Sequence, residues 1–172
     1  MNRSRLAPVA ALTLNAFIWG VSWWPFRQLH SAGLHSLWTT TLVYLLALVA
    51  IHLWRPGAWR QLQLQPALWW LVLASGMTNA AFNWGVIVGD VVRVVLLFYL
   101  MPIWAVPLAR ALNHEPITPA ALVRVAIALA GAWLVLWEPG LGLPVPQSLG
   151  DWLGLVGGLS FAFTNVLLRR YS

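Results

Sequence analysis

The chain contains no cysteine and no lysine, and only four of its 172 residues are acidic. The absence of cysteine excludes disulfides, thiol catalysis and cysteine-ligated metal sites. Ten arginines give a net charge of +6, yet the longest basic cluster is the pair Arg169–Arg170. A nucleic-acid phosphate backbone is bound by a basic patch or stripe. We therefore expect no nucleic-acid partner.

Hydrophobic residues make up 60% of the chain and charged residues only 8%. Soluble domains carry about 25% charged residues, so this composition indicates a membrane protein. The apolar residues fall into runs bounded by the charges, and a membrane-spanning helix needs roughly 20 such residues. We predict an all-α polytopic transmembrane bundle whose six spans lie at about 6–26, 34–54, 67–88, 91–112, 119–137 and 152–168.

The arginines also predict the orientation of the bundle, because cytoplasmic loops carry an excess of positive charge. With the N-terminus inside, eight arginines lie on the inner side and only Arg27 and Arg93 on the outer side. The predicted topology therefore has both ends inside. We expect an integral protein of the bacterial inner membrane, with lipid around it and span 1 retained as a membrane span. The eight inner arginines are Arg3, Arg5, Arg55, Arg60, Arg110, Arg124, Arg169 and Arg170.

Spans 1 and 6 resemble one another. The segment from Trp19 to Arg27 aligns with the segment from Phe161 to Arg169 at aromatic, small, hydroxyl and arginine positions. Five spans separate the two copies, so the second would enter the membrane in the opposite sense. This is the sequence pattern of an inverted-topology repeat, which recurs in transporters.

Polar residues inside a bilayer are costly and tend to face the interior of a bundle. In span 3, Ser75, Asn79 and Asn83 share one helical face, with Thr78 beside them. They could line a substrate cavity, or they could form hydrogen bonds between helices. Including residues from spans 1 and 4, the candidate substrate-binding residues are Trp19, Ser22, Asn79, Asn83, Arg93 and Tyr99.

Arg93 lies near the start of span 4, on the outer side and against the charge bias. It could pair with Asp90 three residues earlier, or its guanidinium could reach the membrane interface. Alternatively, it could offer a fixed cation to a carboxylate-bearing substrate. The sequence leaves these alternatives open.

No acidic residue lies deep within a predicted span: Asp90, Glu115, Glu138 and Asp151 are all at loops or span edges. A membrane-embedded carboxylate is the usual proton relay, so this segment supplies none. No serine–histidine pair or carboxylate cluster at depth indicates catalysis either. We expect no enzyme, no cofactor and no metal.

The segment from Val94 through Pro102 to Thr118 resembles the EamA family of the drug/metabolite transporter superfamily. It combines an apolar helix holding a central proline with a short loop in which Glu115 precedes Thr118 by three residues. A small-residue span with Gly131 follows, and Trp19-Gly20-x-Ser22 is similar to the family's first helix.

The resemblance implies a ten-helix transporter built from two inverted five-helix repeats, which moves small organic metabolites such as amino acids by alternating access. It implies structural or gating roles for Pro102, Glu115 and Gly131. Pro102 would kink span 4, and Glu115 beside Arg110 would fix the turn.

With six spans, the chain resembles a first repeat at 1–138, an outer loop at 139–151 and the first helix of a second, incomplete repeat at 152–172. A missing C-terminal half or a dimer would then complete the transporter. A truncated fragment or a subunit without transport activity is the alternative.

Overall fold

The computed structural model describes residues 3–137 and 145–171, and every regular element in these two ranges is a helix. The four longest helices in these ranges are α1 (Arg3–Ser31), α2 (Ser36–Trp54), α4 (Leu68–Val88) and α8 (Leu149–Tyr171). The remaining helices are α3 (Ala58–Leu64), α5 (Val91–Phe98), α6 (Met101–Asn113) and α7 (Pro119–Leu136). The predicted all-helical membrane bundle is thereby confirmed.

Five segments in the described ranges are long and apolar enough to cross a bilayer. They lie at Val9–Ser31, Ser36–Trp54, Leu68–Val88, Val91–Asn113 and Leu149–Tyr171. The predicted fifth span corresponds to a shorter apolar segment, Pro119–Leu134. Helix α3 was not predicted, and it lies where a loop between spans 2 and 3 was expected. Glu138 and residues 139–144 of the predicted outer loop lie outside the described residues. The end of that predicted loop, from Leu149 to Asp151, belongs to α8.

Span 4 is a broken helix, divided at Tyr99 and Leu100 between α5 and α6. Pro102 has no N–H to donate to the carbonyl of Phe98, four residues earlier. The chain instead turns through shorter bonds, Leu100 N–H to the Leu97 carbonyl at 3.2 Å and Ile103 N–H to the Leu100 carbonyl at 2.9 Å. Pro102 then lies in the first turn of α6, where a missing N–H costs no helical bond.

Helix α8 lies at the centre of the packing and contacts α4, α5 and α6. Glycines allow these helices to approach closely. A Cβ on Gly150 would lie 2.5 Å from the Gly89 Cα, and a Cβ on Gly158 would lie 2.5 Å from the Phe98 carbonyl oxygen. Spans 3 and 4 thus pack around α8, the helix predicted to repeat span 1.

The contacts define two ends of the bundle. At the Asp151 end, the first turn of α8 meets the C-terminus of α4, and Arg27 of α1 donates to the carbonyls of Val86 and Gly89 at 3.3 and 3.4 Å. These are C-terminal carbonyls of α4, which a cation stabilises. At the Arg169 end, the last turn of α8 meets the C-terminus of α6, where Arg170 donates to the Leu112 carbonyl at 2.7 Å.

Candidate functional site

Four aromatic side chains meet where spans 1, 3, 4 and 6 cross. We call Trp19, Phe82, Phe98 and Phe161 the aromatic cluster. The Phe98 ring lies 4.9 Å from Phe82, 5.4 Å from Phe161 and 6.5 Å from Trp19, centroid to centroid. These separations fall in the range at which aromatic pairs attract. The cluster lies directly before the break in span 4, so rings from α1, α4 and α8 surround the end of α5.

The two repeat-related aromatic residues contact the same partner. Trp19 of α1 and Phe161 of α8, which the sequence alignment pairs, both pack on Phe98. Their repeat-related hydroxyls also behave alike, since Ser22 donates to the Trp19 carbonyl and Thr164 to the Ser160 carbonyl within their own helices. The aromatic cluster is therefore built from both copies of the predicted repeat.

The two asparagines of span 3, Asn79 and Asn83, contact α2. The Asn83 amide donates to the Thr40 hydroxyl at 3.1 Å, and Thr40 in turn donates to the Ser36 carbonyl at 2.9 Å. Asn79 donates to the Ser75 carbonyl of its own helix at 2.9 Å and lies beside the Tyr44 hydroxyl. Asn83 is 9% exposed. These contacts favour a role for Asn79 and Asn83 in packing α4 against α2, rather than in lining a substrate cavity.

Arg93 pairs across the bundle with Asp151. Its Nη2 lies 2.9 Å from one carboxylate oxygen and its Nε 3.4 Å from the other. Asp90, the partner expected from spacing, accepts the backbone N–H of Arg93 at 2.9 Å and so caps α5. A substrate carboxylate at Arg93 would have to compete with this two-point pair.

Asp151 was expected at a loop edge, but the structure places it in the first turn of α8. Its side chain is 2% exposed. It also accepts the backbone N–H of Gln147 at 3.0 Å, while the Ser148 hydroxyl accepts the N–H of Asp151 at 3.1 Å. Serine followed three residues later by an acid is a capping-box pattern. This signal was present in the sequence and would have started the helix at Leu149.

Glu115 lies at the Arg169 end. Its carboxylate is 3.5 Å from Arg169 of α8 and 3.5 Å from the Asn113 amide. Arg110 was the neighbour expected from the sequence. A pocket of about 510 Å³, which we call the Glu115 pocket, opens here between α6, α7 and α8. Pro102, Arg124, Asn165 and Arg169 are also among its lining residues.

The remaining candidates lie apart from these contacts. Tyr99 is 60% exposed at the break in span 4, with its ring 6.1 Å from Phe98. Gly131 lies on α7, and no described atom comes within 4 Å of a Cβ built on it. Of the candidates, Trp19 and Tyr99 adjoin Phe98, and Pro102 and Glu115 line one pocket. Phe82 and Phe98 were not among the candidates, because a phenylalanine in an apolar run has no polar group to distinguish it from its neighbours.

Apolar helices of membrane-spanning length, packed around a broken span, place the chain in the class of polytopic integral membrane proteins. The EamA-like transporter family matches residues 6–137. The chain therefore belongs to this family of the drug/metabolite transporter superfamily, and the expected resemblance is confirmed. This membership points to a transporter rather than an enzyme.

Two curated proteins of Pseudomonas aeruginosa are similar to this chain. It is 28% identical to the uncharacterized transporter PA0485 over 92% of its own length and 53% of that protein. It is also 28% identical to the chloramphenicol-sensitive protein RarD, over 85% of its own length and 48% of that protein. The chain thus spans about half the length of the curated relatives it matches. No solved structure gives a significant match.

Proposed function

We propose that the chain forms one wall of a pathway for small organic metabolites such as amino acids, and that solute moves by alternating access. Family membership supports transport in general. The observation that carries the site is the aromatic cluster, which lies at a helix break where four spans meet. Broken helices near the midplane are where transporters of several folds bind substrate.

The cluster favours a solute with an aromatic or apolar portion. Trp19 and Phe161 are partly buried, and Tyr99, whose ring contacts Phe98, is largely exposed. Such rings bind another ring by edge or offset contacts worth about 1 kcal/mol each. We therefore propose Trp19 and Tyr99 as substrate contacts, and we assign Asn83 to helix packing.

Further helices complete the pathway in this proposal, either from a C-terminal half or from a second copy of the chain. The half-length match to both relatives supports this. So do the large apolar residues that α1 exposes between Val9 and Leu29 and α2 between Trp38 and Trp54. We place the assembly in the bacterial inner membrane, with the N-terminus in the cytoplasm because of the arginine bias.

Flux into proteoliposomes tests the proposal. The purified chain is reconstituted and uptake of radiolabelled tryptophan and phenylalanine is measured. Chloramphenicol serves as a further aromatic probe because the name of one relative refers to it. Because the purified chain can supply its own second copy, we expect saturable uptake of at least one of these solutes. Trp19→Ala should reduce this uptake about fivefold, as loss of one ring contact predicts.

Trp24→Ala is the matched control, since Trp24 lies on the same helix and is 59% exposed. It should leave uptake unchanged. Equal uptake by the two variants would refute the cluster as the substrate site. Absence of flux for every solute, with the protein folded and inserted, would favour the alternative of a fragment or subunit without transport activity.

A further inference from the structure

The Glu115 pocket has the shape and polarity of a site for an amphipathic molecule. Its volume of about 510 Å³ lies within the range of small-molecule sites. The α6 residues on its wall are Met101, Pro102, Ala105, Val106 and Ala109. The first and last of these are eight positions apart, which corresponds to about 12 Å along the helix. Apart from its charged mouth, the wall is mostly alanine, proline, valine, methionine and leucine.

The mouth of the pocket is charged. Arg124 of α7 and Arg169 of α8 line it together with Glu115, so the local balance is positive. Arg124 Nε donates to the Ala120 carbonyl at 3.1 Å, which holds the guanidinium against the first turns of α7. Ala121, in the first turn of α7, also lines the pocket, and the positive end of a helix dipole adds to the attraction for an anion.

The position of the pocket identifies the source of the anion. The charged residues lie where α6 and α8 end and α7 begins, which is the level of the lipid headgroups for membrane-spanning helices. The apolar wall continues from there toward the middle of the bundle. A basic pocket between transmembrane helices, on the arginine-rich side, is a recurring binding site for anionic phospholipid headgroups.

We propose that the Glu115 pocket binds an anionic phospholipid of the arginine-rich leaflet. The phosphate lies between Arg124 and Arg169, and an acyl chain lies along α6 between α7 and α8. Glu115 opposes this binding through its charge and its pairing with Arg169. This site is independent of the solute pathway, which the aromatic cluster marks nearer the centre of the bundle.

Native mass spectrometry of the detergent-purified full chain tests this. The protein is mixed with dioleoyl phosphatidylglycerol or, as a neutral probe with identical acyl chains, dioleoyl phosphatidylcholine. We expect retention of phosphatidylglycerol in preference to phosphatidylcholine. Arg124→Gln should weaken the retention of phosphatidylglycerol about fivefold, as loss of one arginine near an anionic headgroup predicts. Glu115→Gln should strengthen it.

Arg110→Gln is the matched control, because Arg110 is an exposed arginine on α6 that does not line the pocket. It should retain phosphatidylglycerol as the unaltered chain does. Equal losses in Arg110→Gln and Arg124→Gln would overturn the site, and so would equal retention of the two lipids. Displacement of the lipid by inorganic phosphate would show a free-anion site instead. A lipid-free dimer would show that a second copy fills the pocket. Circular dichroism confirms that each variant is folded.

Discussion

At the scale of single residues, Arg93 and Asp151 form the more buried of the two ion pairs described above. The Asp151 carboxylate is 2% exposed, and the Arg93 side chain 29%. By contrast, the side chains of Arg169 and Glu115 are 68% and 42% exposed at the other end. Removing one partner of a buried pair leaves an uncompensated charge, which is far more costly than losing an exposed pair.

Arg93→Ala should therefore destabilise the protein by about 3 kcal/mol, because Asp151 remains buried without its cation. Adding Asp151→Asn to this variant should restore part of the loss, since asparagine is neutral and can still accept the N–H of Gln147. Thermal unfolding in detergent, followed by tryptophan fluorescence, measures both changes.

The control for this pair is Glu115→Gln, which should change stability by less than about 1 kcal/mol because its ion pair is exposed. If the double variant is as unstable as Arg93→Ala alone, the cost lies in lost packing rather than in the unpaired carboxylate. In either case, lower transport by Arg93→Ala would reflect the loss of stability and would not be evidence of substrate binding.

At the scale of elements, the break in span 4 and the glycines of α8 form one feature. Pro102 cannot donate to the Phe98 carbonyl, and the Phe98 carbonyl lies against Gly158, which has no side chain. Gly154 provides the same closeness one turn earlier, where a Cβ would lie 2.8 Å from the Val94 carbonyl oxygen. The glycines at positions 154 and 158 therefore allow α8 to pack closely on the broken helix.

Gly158→Ala should lower stability by about 1–3 kcal/mol, because the new methyl group would meet backbone atoms that cannot rotate away. Gly131→Ala is the matched control. It adds the same methyl group to another apolar helix, at a position with open space around it, and alanine favours the helical backbone. Thermal unfolding of the two variants in the same detergent gives the comparison, and equal melting temperatures would contradict the close packing of α8 on Phe98.

At the scale of the whole molecule, the helix contacts place the arginines at two ends of the bundle. The division agrees with the one predicted from the arginine bias. The Asp151 end contains Arg27 and Arg93, while Arg110, Arg124, Arg169 and Arg170 lie at the opposite end. If the Arg169 end faces the cytoplasm, the loop after α1 faces outward and α3 faces inward.

The absence of cysteine allows this orientation to be tested with single introduced thiols. Ala32→Cys, in the turn after α1, should react in intact cells with a maleimide that does not cross membranes. Gln63→Cys, in α3, should react only after the cells are permeabilised. Both positions are exposed, so accessibility does not limit the reaction. Labelling in the reverse order would invert the proposed topology.

The sequence predicted the helical class and most span positions because apolar runs between arginines leave little freedom. It also predicted a distortion of span 4 at Pro102, because the missing N–H of a proline is a local property. It did not identify Asp151 as the partner of Arg93 or Arg169 as the partner of Glu115, since these pairs join residues more than fifty positions apart. Likewise, periodicity places Asn79 and Asn83 on one face of their helix. It does not determine which neighbouring helix packs against that face.

The separation of Arg93 and Asp151 along the chain has a consequence for how the protein is made. Arg93 precedes its partner by 58 residues, which corresponds to roughly 3–12 s of synthesis at 5–20 residues per second. During that interval the guanidinium must be accommodated by water, headgroups or the insertion machinery, because a lone arginine within the bilayer is costly. The arrival of α8 ends this interval, and the late helix thereby stabilises a span that was synthesised before it.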